Sequence, residues 1–286
     1  MAITFGTNIT SYVARMNLNS TTARLSNTMQ RIATGKRINN AGDDAAGLVI
    51  SENMKAYISS SKQAMDNIQN AKAYLNVADD GMVTISEHLQ RINNLLTNMA
   101  NDTNDEDSRK ASLNEIKERL KEIDRLADST NFNGRTMLDG QSGTIVVQMG
   151  ADATENSTLD ISDALTDCHL SALGATLIDE LDSSKPEYKL DGESCRKYMQ
   201  VIQDAINKLS TQRGRLGAYE NRMDSSYDSL TTRIESLETA KSLYTDTDIA
   251  EEASNMVREQ ILQQLNTSIL ASANSLQAIA LTLLQT

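Results

Sequence analysis

An unbroken repeat of apolar residues constrains the fold of this chain more than any other feature. From Ala64 to Met99, apolar residues recur at alternating spacings of four and three. Such a heptad predicts one long helix packed along another helix, because the a and d positions of successive heptads lie on one face. At 1.5 Å per residue, this helix would be about 54 Å long. The repeat consists of Ala64, Ile68, Ala71, Leu75, Ala78, Met82, Ile85, Leu89, Ile92, Leu96 and Met99.

Two further apolar stripes predict partners for this helix. One runs from Leu113 to Ala127 and the other from Met199 to Leu237. The polar linker Asn101–Asp107 is short, which makes the first two helices antiparallel neighbours. Asn104 or Asp105 can cap the second helix. Because the third stripe comes from far downstream, it closes the bundle by non-local contact.

Both ends of the chain carry apolar residues at helical spacing that cannot be buried within their own segment. We expect each terminal stripe to pair with the other, or with copies of itself in neighbouring molecules. The residues expected to make these contacts are Ile9, Val13, Met16, Leu262, Leu265, Ile269, Leu276 and Leu283.

Composition supports long helices over a sheet-rich enzyme. The 286 residues include one Pro and 13 Gly, and aromatic residues make up 3%. Pro costs about 3 kcal/mol inside a helix, and tight turns need Gly and Pro. Turn signals gather in one place, at Asn133-Gly134 and Asp139-Gly140, followed by the β-branched run Ile145–Val147. We therefore predict a small β-hairpin region at 131–150 within a mainly α, elongated antiparallel bundle or coiled coil whose terminal helices pair.

The charge pattern excludes several classes of partner. The formal net charge is −12, and no run of Lys or Arg offers the basic stripe that nucleic acid requires. The last 27 residues are uncharged, but polar residues interrupt them, so we interpret them as an amphipathic helix rather than a membrane span. Met1–Gly6 does not resemble a signal peptide, which predicts a cytosolic protein or one that leaves by another route.

Groups capable of chemistry are scarce, and we predict no enzyme, no metal site and no cofactor. His88 lies between heptad positions, as expected of an imidazole on the flank of a helix. His169 adjoins Cys168, but two ligands do not make a metal site. Residues 152–163 begin like a calcium loop and then lack the required Gly and Glu. Cys168 and Cys195 could close a disulfide, although we favour two reduced thiols.

Several blocks stand in order along the chain and together resemble the segments shared by bacterial flagellins. They cover about residues 5–150 and 199–286. The blocks are Gly35–Leu48, Leu89–Leu95, Glu115–Arg125 followed by Phe132-Asn133-Gly134, Leu216–Ala218 with Asn221-Arg222, Asp246–Ala250 with Ser254–Met256, Gln260–Gln264, and Leu281–Gln285.

The resemblance implies a domain organisation. In flagellins, the paired chain ends form an inner coiled-coil domain around a narrow channel, and the bundle forms the surrounding tube. We therefore expect residues 1–42 and 246–286 to form the terminal domain. Residues 43–245 would form the bundle, with the small β region at 131–150 and a short variable connection at 151–195.

The resemblance also implies a structural subunit that self-assembles into the flagellar filament for swimming motility. Subunits of the family are exported unfolded through the flagellar type III apparatus and polymerise at the distal tip, so the protein would be extracellular. The implied partners are copies of the chain itself, an export chaperone, the cap and the hook-associated proteins. The alternative within the superfamily is a hook–filament junction protein or a minor filament protein.

The resemblance further implies recognition by a vertebrate innate immune receptor, through the outer face of the bundle. The matching positions in this sequence are Arg91, Leu95 and Glu115, while Asn93-Asn94 stands where Arg-Glu is common in the family. Alternatively, Arg91 and Glu115 belong to an assembly face, and both roles can hold together.

Overall fold

A computed structural model of the chain describes residues 8–175 and 191–284, with side chains as far as residue 276. The side chain of Leu283, a predicted contact residue, is therefore not described. Residues 176–190, which are part of the predicted connection, lie outside the described residues. Helices dominate, and the predicted mainly α fold with paired terminal helices is confirmed. The helices are α1 (Ile9–Thr34), α2 (Ala45–Met99), α3 (Glu106–Ser129), α4 (Leu170–Leu173), α5 (Gly192–Thr245) and α6 (Ile249–Leu284). The strands are β1 (Asn131–Phe132), β2 (Arg135–Thr136), β3 (Val146–Gln148) and β4 (Thr158–Asp160).

Contacts within the chain divide it into two compact units. The terminal unit comprises Met1–Ile58 and Glu235–Thr286, and the central unit comprises Ser59–Ile234. The terminal domain predicted at 1–42 and 246–286 is defined for the assembled filament, and its boundaries stay a prediction.

The heptad seam of α2 is the core of the central unit. All eleven predicted positions from Ala64 to Met99 are buried, and most have no exposed surface at all. The predicted stripe of α3 is buried throughout, from Leu113 to Ala127. In α5, buried residues such as Ile202, Leu209 and Met223 alternate with half-buried ones. The seams predicted from periodicity are confirmed, because burying a and d positions on partner helices removes the largest apolar area from water.

Polar contacts between neighbouring helices give their order. Arg91 pairs with Glu115, and His88 accepts a hydrogen bond from Arg119, so α2 and α3 run antiparallel as predicted. Asp105 caps α3 by accepting from the Ser108 N–H group. The same antiparallel order relates α2 and α5, which are bridged by Asp79 with Arg213, Lys72 with Asp224, and Gln69 with Tyr227.

The β region differs in part from the prediction. Strands β1 and β2 form the expected hairpin, and its turn residues Asn133 and Gly134 both have positive φ, 51° and 80°. Strand β3, however, pairs with β4 across residues 149–157. Strand β4 lies in the segment that we predicted as a connection. Its central residue Leu159 is buried in the core of the central unit, which folds this part of the segment onto the bundle.

Gly81 lies in α2 where the segment that follows α3 passes close to the helix. A Cβ atom at this position would lie 2.8 Å from Thr130 Oγ1 and 2.9 Å from Leu138 Cδ1. Leu138 is fully buried, and Thr130 Oγ1 donates a hydrogen bond to Leu126 O. Neither side chain can move away freely, so the close approach depends on glycine.

We expect Gly81→Ala to destabilise the protein by about 1 kcal/mol, because overpacking outweighs the better helix propensity of Ala. Gly214→Ala is the matched control, since a Cβ atom there meets nothing within 4 Å. This control should stabilise α5 by about 0.5–1 kcal/mol. Urea unfolding of the two variants measures both effects, and equal stabilisation by both would contradict the close approach at Gly81.

His169 links the segment that precedes α4 to the end of α3 by polar contacts. Its Nδ1 lies 2.6 Å from Asp167 Oδ1, and its Nε2 lies 3.1 Å from Asp128 Oδ1. The next N–H group, of Leu170, donates to Asp124 Oδ1 one turn earlier on α3. Only the doubly protonated imidazolium satisfies two carboxylates at once. Partial burial acts to lower the pKa of His169, but the hydrogen bonds to Asp167 and Asp128 outweigh it and raise that pKa above 6.5.

This arrangement predicts a pH-dependent contribution to stability. A raised pKa in the folded state means that the contribution is fully present below the unfolded value, near 6.5, and is lost as pH rises through the folded value. We expect at most about 1 kcal/mol, because the ion pairs are partly open to solvent. Titration of the His169 ring by NMR should show the raised pKa, and Asp128→Asn should lower it. Asp163 does not bond to His169, so Asp163→Asn should leave the pKa of His169 unchanged. The same pKa in the wild type and in both variants would contradict the proposed interaction of His169 with Asp128.

Candidate assembly interface

Helices α1 and α6 of the terminal unit pack side by side in antiparallel order. Arg24 Nε lies 3.0 Å from Glu259 Oε1, and Arg31 Nη1 lies 3.1 Å from Glu252 Oε1. Two turns separate the ion-pair partners on each helix, so both pairs lie along one line of contact. Closer to the chain ends, Asn8 Nδ2 donates to the carbonyl oxygen of Ala273.

We call this line of contact the terminal seam, and its α6 side is largely polar. Asn266 Nδ2 donates to Thr21 Oγ1 at 3.0 Å, and Gln263 Nε2 donates to Thr22 Oγ1 at 3.3 Å. The helices therefore pair through hydrogen bonds and ion pairs as well as through small and apolar side chains. The polar contacts of the seam join Thr21, Thr22, Arg24 and Arg31 of α1 to Asn266, Gln263, Glu259 and Glu252 of α6. Buried or half-buried residues at heptad spacing beside these contacts complete the seam, namely Ala14, Leu18, Leu25, Thr28 and Ile32 on α1 and Met256, Leu270 and Ala273 on α6.

The segment between α1 and α2 joins the start of α2 to the end of α5. Gly35 ends α1 with a φ of 67°, a conformation that favours glycine. Arg37 N–H donates to Thr245 O at 2.7 Å, and Thr247 N–H donates to Gly35 O at 3.1 Å. These bonds fix where α5 stops and α6 begins relative to α1.

Two aspartates in this segment order its backbone. Asp43 Oδ2 accepts from the N–H groups of Asn40 and Asn39, and these bonds lower the pKa of Asp43. Asp44 Oδ1 accepts from Gly47 N–H at 2.8 Å and so caps the first turn of α2. Asp43 and Asp44 of the Gly35–Leu48 block thus have local structural roles.

Apolar side chains of α1 and α6 lie exposed beside the terminal seam. Six of the eight predicted assembly residues are between 49% and 66% exposed. Leu262 is half-buried, and the side chain of Leu283 is not described. A groove between the two helices is lined by Ile9, Val13 and Ile269, which places both exposed sets next to each other. The six exposed residues are Ile9, Val13, Met16, Leu265, Ile269 and Leu276.

Sequence reasoning missed part of this surface. Val257 and Ile261 are as exposed as the predicted residues and extend the apolar face of α6 by two turns. Ile261 stands at i−4 from Leu265, a spacing that could have identified it. We call Ile261, Leu265, Ile269 and Leu276, together with Ile9, Val13 and Met16, the apolar stripe. Its role in assembly stays a prediction.

The predicted receptor residues are only partly at the surface. Arg91 Nε lies 3.0 Å from Glu115 Oε1, and Arg119 Nε lies 2.9 Å from the same oxygen. The hydrogen bonds from Arg91 and Arg119 lower the pKa of Glu115. Leu95, in contrast, is buried in the core of the central unit. Arg91 and Glu115 thus present a charged pair across α2 and α3, and their contact with a receptor stays a prediction.

Within residues 8–175 and 191–284, no group of three or more His, Cys, Asp or Glu side chains is arranged to hold a metal ion. Cys168 and Cys195 are buried free thiols. Burial, together with the charge of Asp167, raises the pKa of Cys168 to about 12, which makes its thiolate scarce at neutral pH. Among the described residues, no helix has both the length and the apolar character needed to cross a membrane.

Comparison with known proteins gives consistent matches over most of the chain. The family model of the bacterial flagellin N-terminal helical region matches residues 5–143, and that of the C-terminal helical region matches 199–284. The chain is 34% identical to a flagellin of Halalkalibacterium halodurans, over 90% of each protein. It is 30% identical to the flagellar filament 33 kDa core protein of Treponema phagedenis, over 97% of this chain and 98% of that protein.

A solved structure from Vibrio parahaemolyticus, described as a flagellar hook-associated protein, is similar in fold. It superposes with a TM-score of 0.59 over 71% of this chain and 99% of its own. Sequence identity is 15%, so this likeness concerns the fold alone.

Proposed function

This chain belongs to the bacterial flagellin family, and we propose that it polymerises through the apolar stripe of its terminal helices. The family is structural, and the chain is a filament subunit that assembles with copies of itself into the extracellular flagellar filament. Relatives named as flagellins and filament core proteins do not favour a hook–filament junction protein.

The observation that carries the proposal is that the apolar stripe stays exposed beside the terminal seam. Helices α1 and α6 already contact each other, yet Leu265, Ile269 and Leu276 remain half or more exposed. Covering the exposed part of such a side chain contributes about 1 kcal/mol. A neighbouring copy presents the same stripe, so repeated contacts between copies can supply this burial. A contact that does not close on itself generates a helical fibre.

The predicted domain organisation supplies the arrangement within the filament. We place residues 1–42 and 246–286 in the inner layer, where the apolar stripe would be covered, and residues 43–245 in the outer layer. The central unit supports this assignment, because its own apolar seams are already buried within the single chain.

We propose that this subunit is exported and delivered to the filament tip in the same way as other members of the family. In our proposal the subunit is exported unfolded through the flagellar type III apparatus and polymerises under the cap at the distal tip. An export chaperone would cover the apolar face of α6 before assembly, and hook-associated proteins would contact the ends of the filament. The exposed residues Ile261, Leu265 and Ile269 support this role, because such a face promotes premature association.

The test is a double substitution within the apolar stripe. Leu265→Asp with Ile269→Asp should abolish filament growth on seeding, because two carboxylates would have to be buried between copies. Thr267→Asp, at an exposed position of the same helix, is the control and should still polymerise. Electron microscopy of seeded protein gives the result, and filaments of normal length from the double variant would exclude the stripe from assembly.

We further propose that Arg91 and Glu115 contribute to recognition by a vertebrate innate immune receptor, while the buried Leu95 positions α2 beneath them. Arg91→Ala should weaken receptor signalling by about tenfold, the effect of losing one charge-assisted contact of about 1.4 kcal/mol. Arg125→Ala removes a similarly exposed ion pair with Glu122 and is the control. A reporter-cell assay measures potency, and equal potency of the two variants would remove Arg91 from the recognition surface.

A further inference from the structure

The terminal seam carries charges of one sign on each helix. The charges that α1 contributes to the seam are Arg24 and Arg31, and the helix has no acid from Ile9 to Thr34. The charges that α6 contributes to the seam are Glu252 and Glu259. Pairing of two α1 helices, or of two α6 helices, would therefore place charges of the same sign against each other. The α1–α6 pair instead matches opposite charges at two positions.

Pairing must be selective if the chain polymerises, a condition that rests on the proposed function. In the proposed filament, each α1 would lie near the terminal helices of neighbouring copies as well as near its own α6. We propose that the Arg24–Glu259 and Arg31–Glu252 pairs select the partner of each terminal helix. They favour pairing of α1 with α6 over pairing with a second α1, and they favour a single register of the two helices.

The burial of the two carboxylates gives this selection its strength. The side chains of Glu252 and Glu259 are only 9% and 14% exposed, whereas those of Arg24 and Arg31 are 53% and 35% exposed. A carboxylate held between two helices is unfavourable unless a cation reaches it. Glu259 Oε2 is buried and accepts no hydrogen bond from the described residues, so this group depends on Arg24 through its other oxygen.

The spacing of the pairs gives the register. The arginines are two turns apart on α1, and the glutamates are two turns apart on α6. A slip of one turn removes both arginines from the glutamates. A slip of two turns keeps one pair and leaves the other glutamate buried without a cation. The neutral bond between Thr21 and Asn266 could form between other polar side chains and adds less selectivity.

Charge reversal tests the proposal, because reversing both helices together should restore the filament growth that reversing either helix alone impairs. Arg24→Glu with Arg31→Glu reverses α1, and Glu252→Arg with Glu259→Arg reverses α6. Each reversal alone should raise the critical concentration for seeded filament growth by about tenfold or more. All four substitutions in one chain should restore growth, because the signs match again.

A mixture of the two reversed proteins gives the sharper result. Neither protein can pair its own terminal helices, but the α1 of each matches the α6 of the other. An equimolar mixture should therefore grow filaments containing both proteins, whereas each alone does not. Growth of either reversed protein at the wild-type critical concentration would overturn the proposal, as would failure of both the fourfold variant and the mixture.

Controls separate this proposal from the proposed function and from general effects of charge. Arg15→Glu reverses an exposed charge of α1 outside the seam and should grow like the wild type. Thermal unfolding followed by circular dichroism should show an unchanged central unit in every variant. If the wild type itself forms no filaments, the proposed function fails; if it does and the rescue is absent, charge selection alone fails.

Discussion

The continuous apolar seam of α2 is the constraint on which the central unit depends. Residues such as Ile68, Leu75 and Ile92 have no exposed surface, and α3 and α5 supply the atoms that cover them. A single helix cannot bury such a stripe, so its stability comes from tertiary packing rather than helix propensity. The hairpin β3–β4 and the segment held by His169 then pack onto this bundle and use its helices as supports.

The terminal helices divide two tasks between neighbouring surfaces. The terminal seam joins α1 to α6 through directional polar contacts, which tolerate little change of register. The apolar stripe beside it is non-directional and stays exposed in the single chain. Polar contacts specify which surfaces meet, whereas apolar burial contributes most of the free energy of association. A filament subunit needs both, because its terminal helices must pair with the correct partners and must also bind neighbouring copies.

Periodicity predicted the central unit well and the terminal unit incompletely. In α2 and α3 the apolar residues follow one strict heptad, so a single face was available for burial. In α6, Ala273 lies in the seam while Leu265 and Ile269 are exposed, although all three are apolar residues spaced four apart in the sequence. Glu252 and Glu259 lie in the seam as well, which an apolar pattern cannot indicate. Strand β4 was missed because its partner β3 lies beyond a nine-residue loop with little local pattern.

The sequence by itself determined the long apolar-striped helices, the antiparallel order of α2 and α3, the Asn133-Gly134 turn and the family. These features depend on local propensity, on short connections and on motifs of neighbouring residues. Only the tertiary structure decided which face of α6 meets α1, that Arg24 and Arg31 reach Glu259 and Glu252, and that Asp128 and Asp167 enclose His169. These contacts join residues distant in sequence, and each depends on the relative rotation and register of packed elements. That geometry follows from the sum of many weak contacts, so no short segment of the chain encodes it.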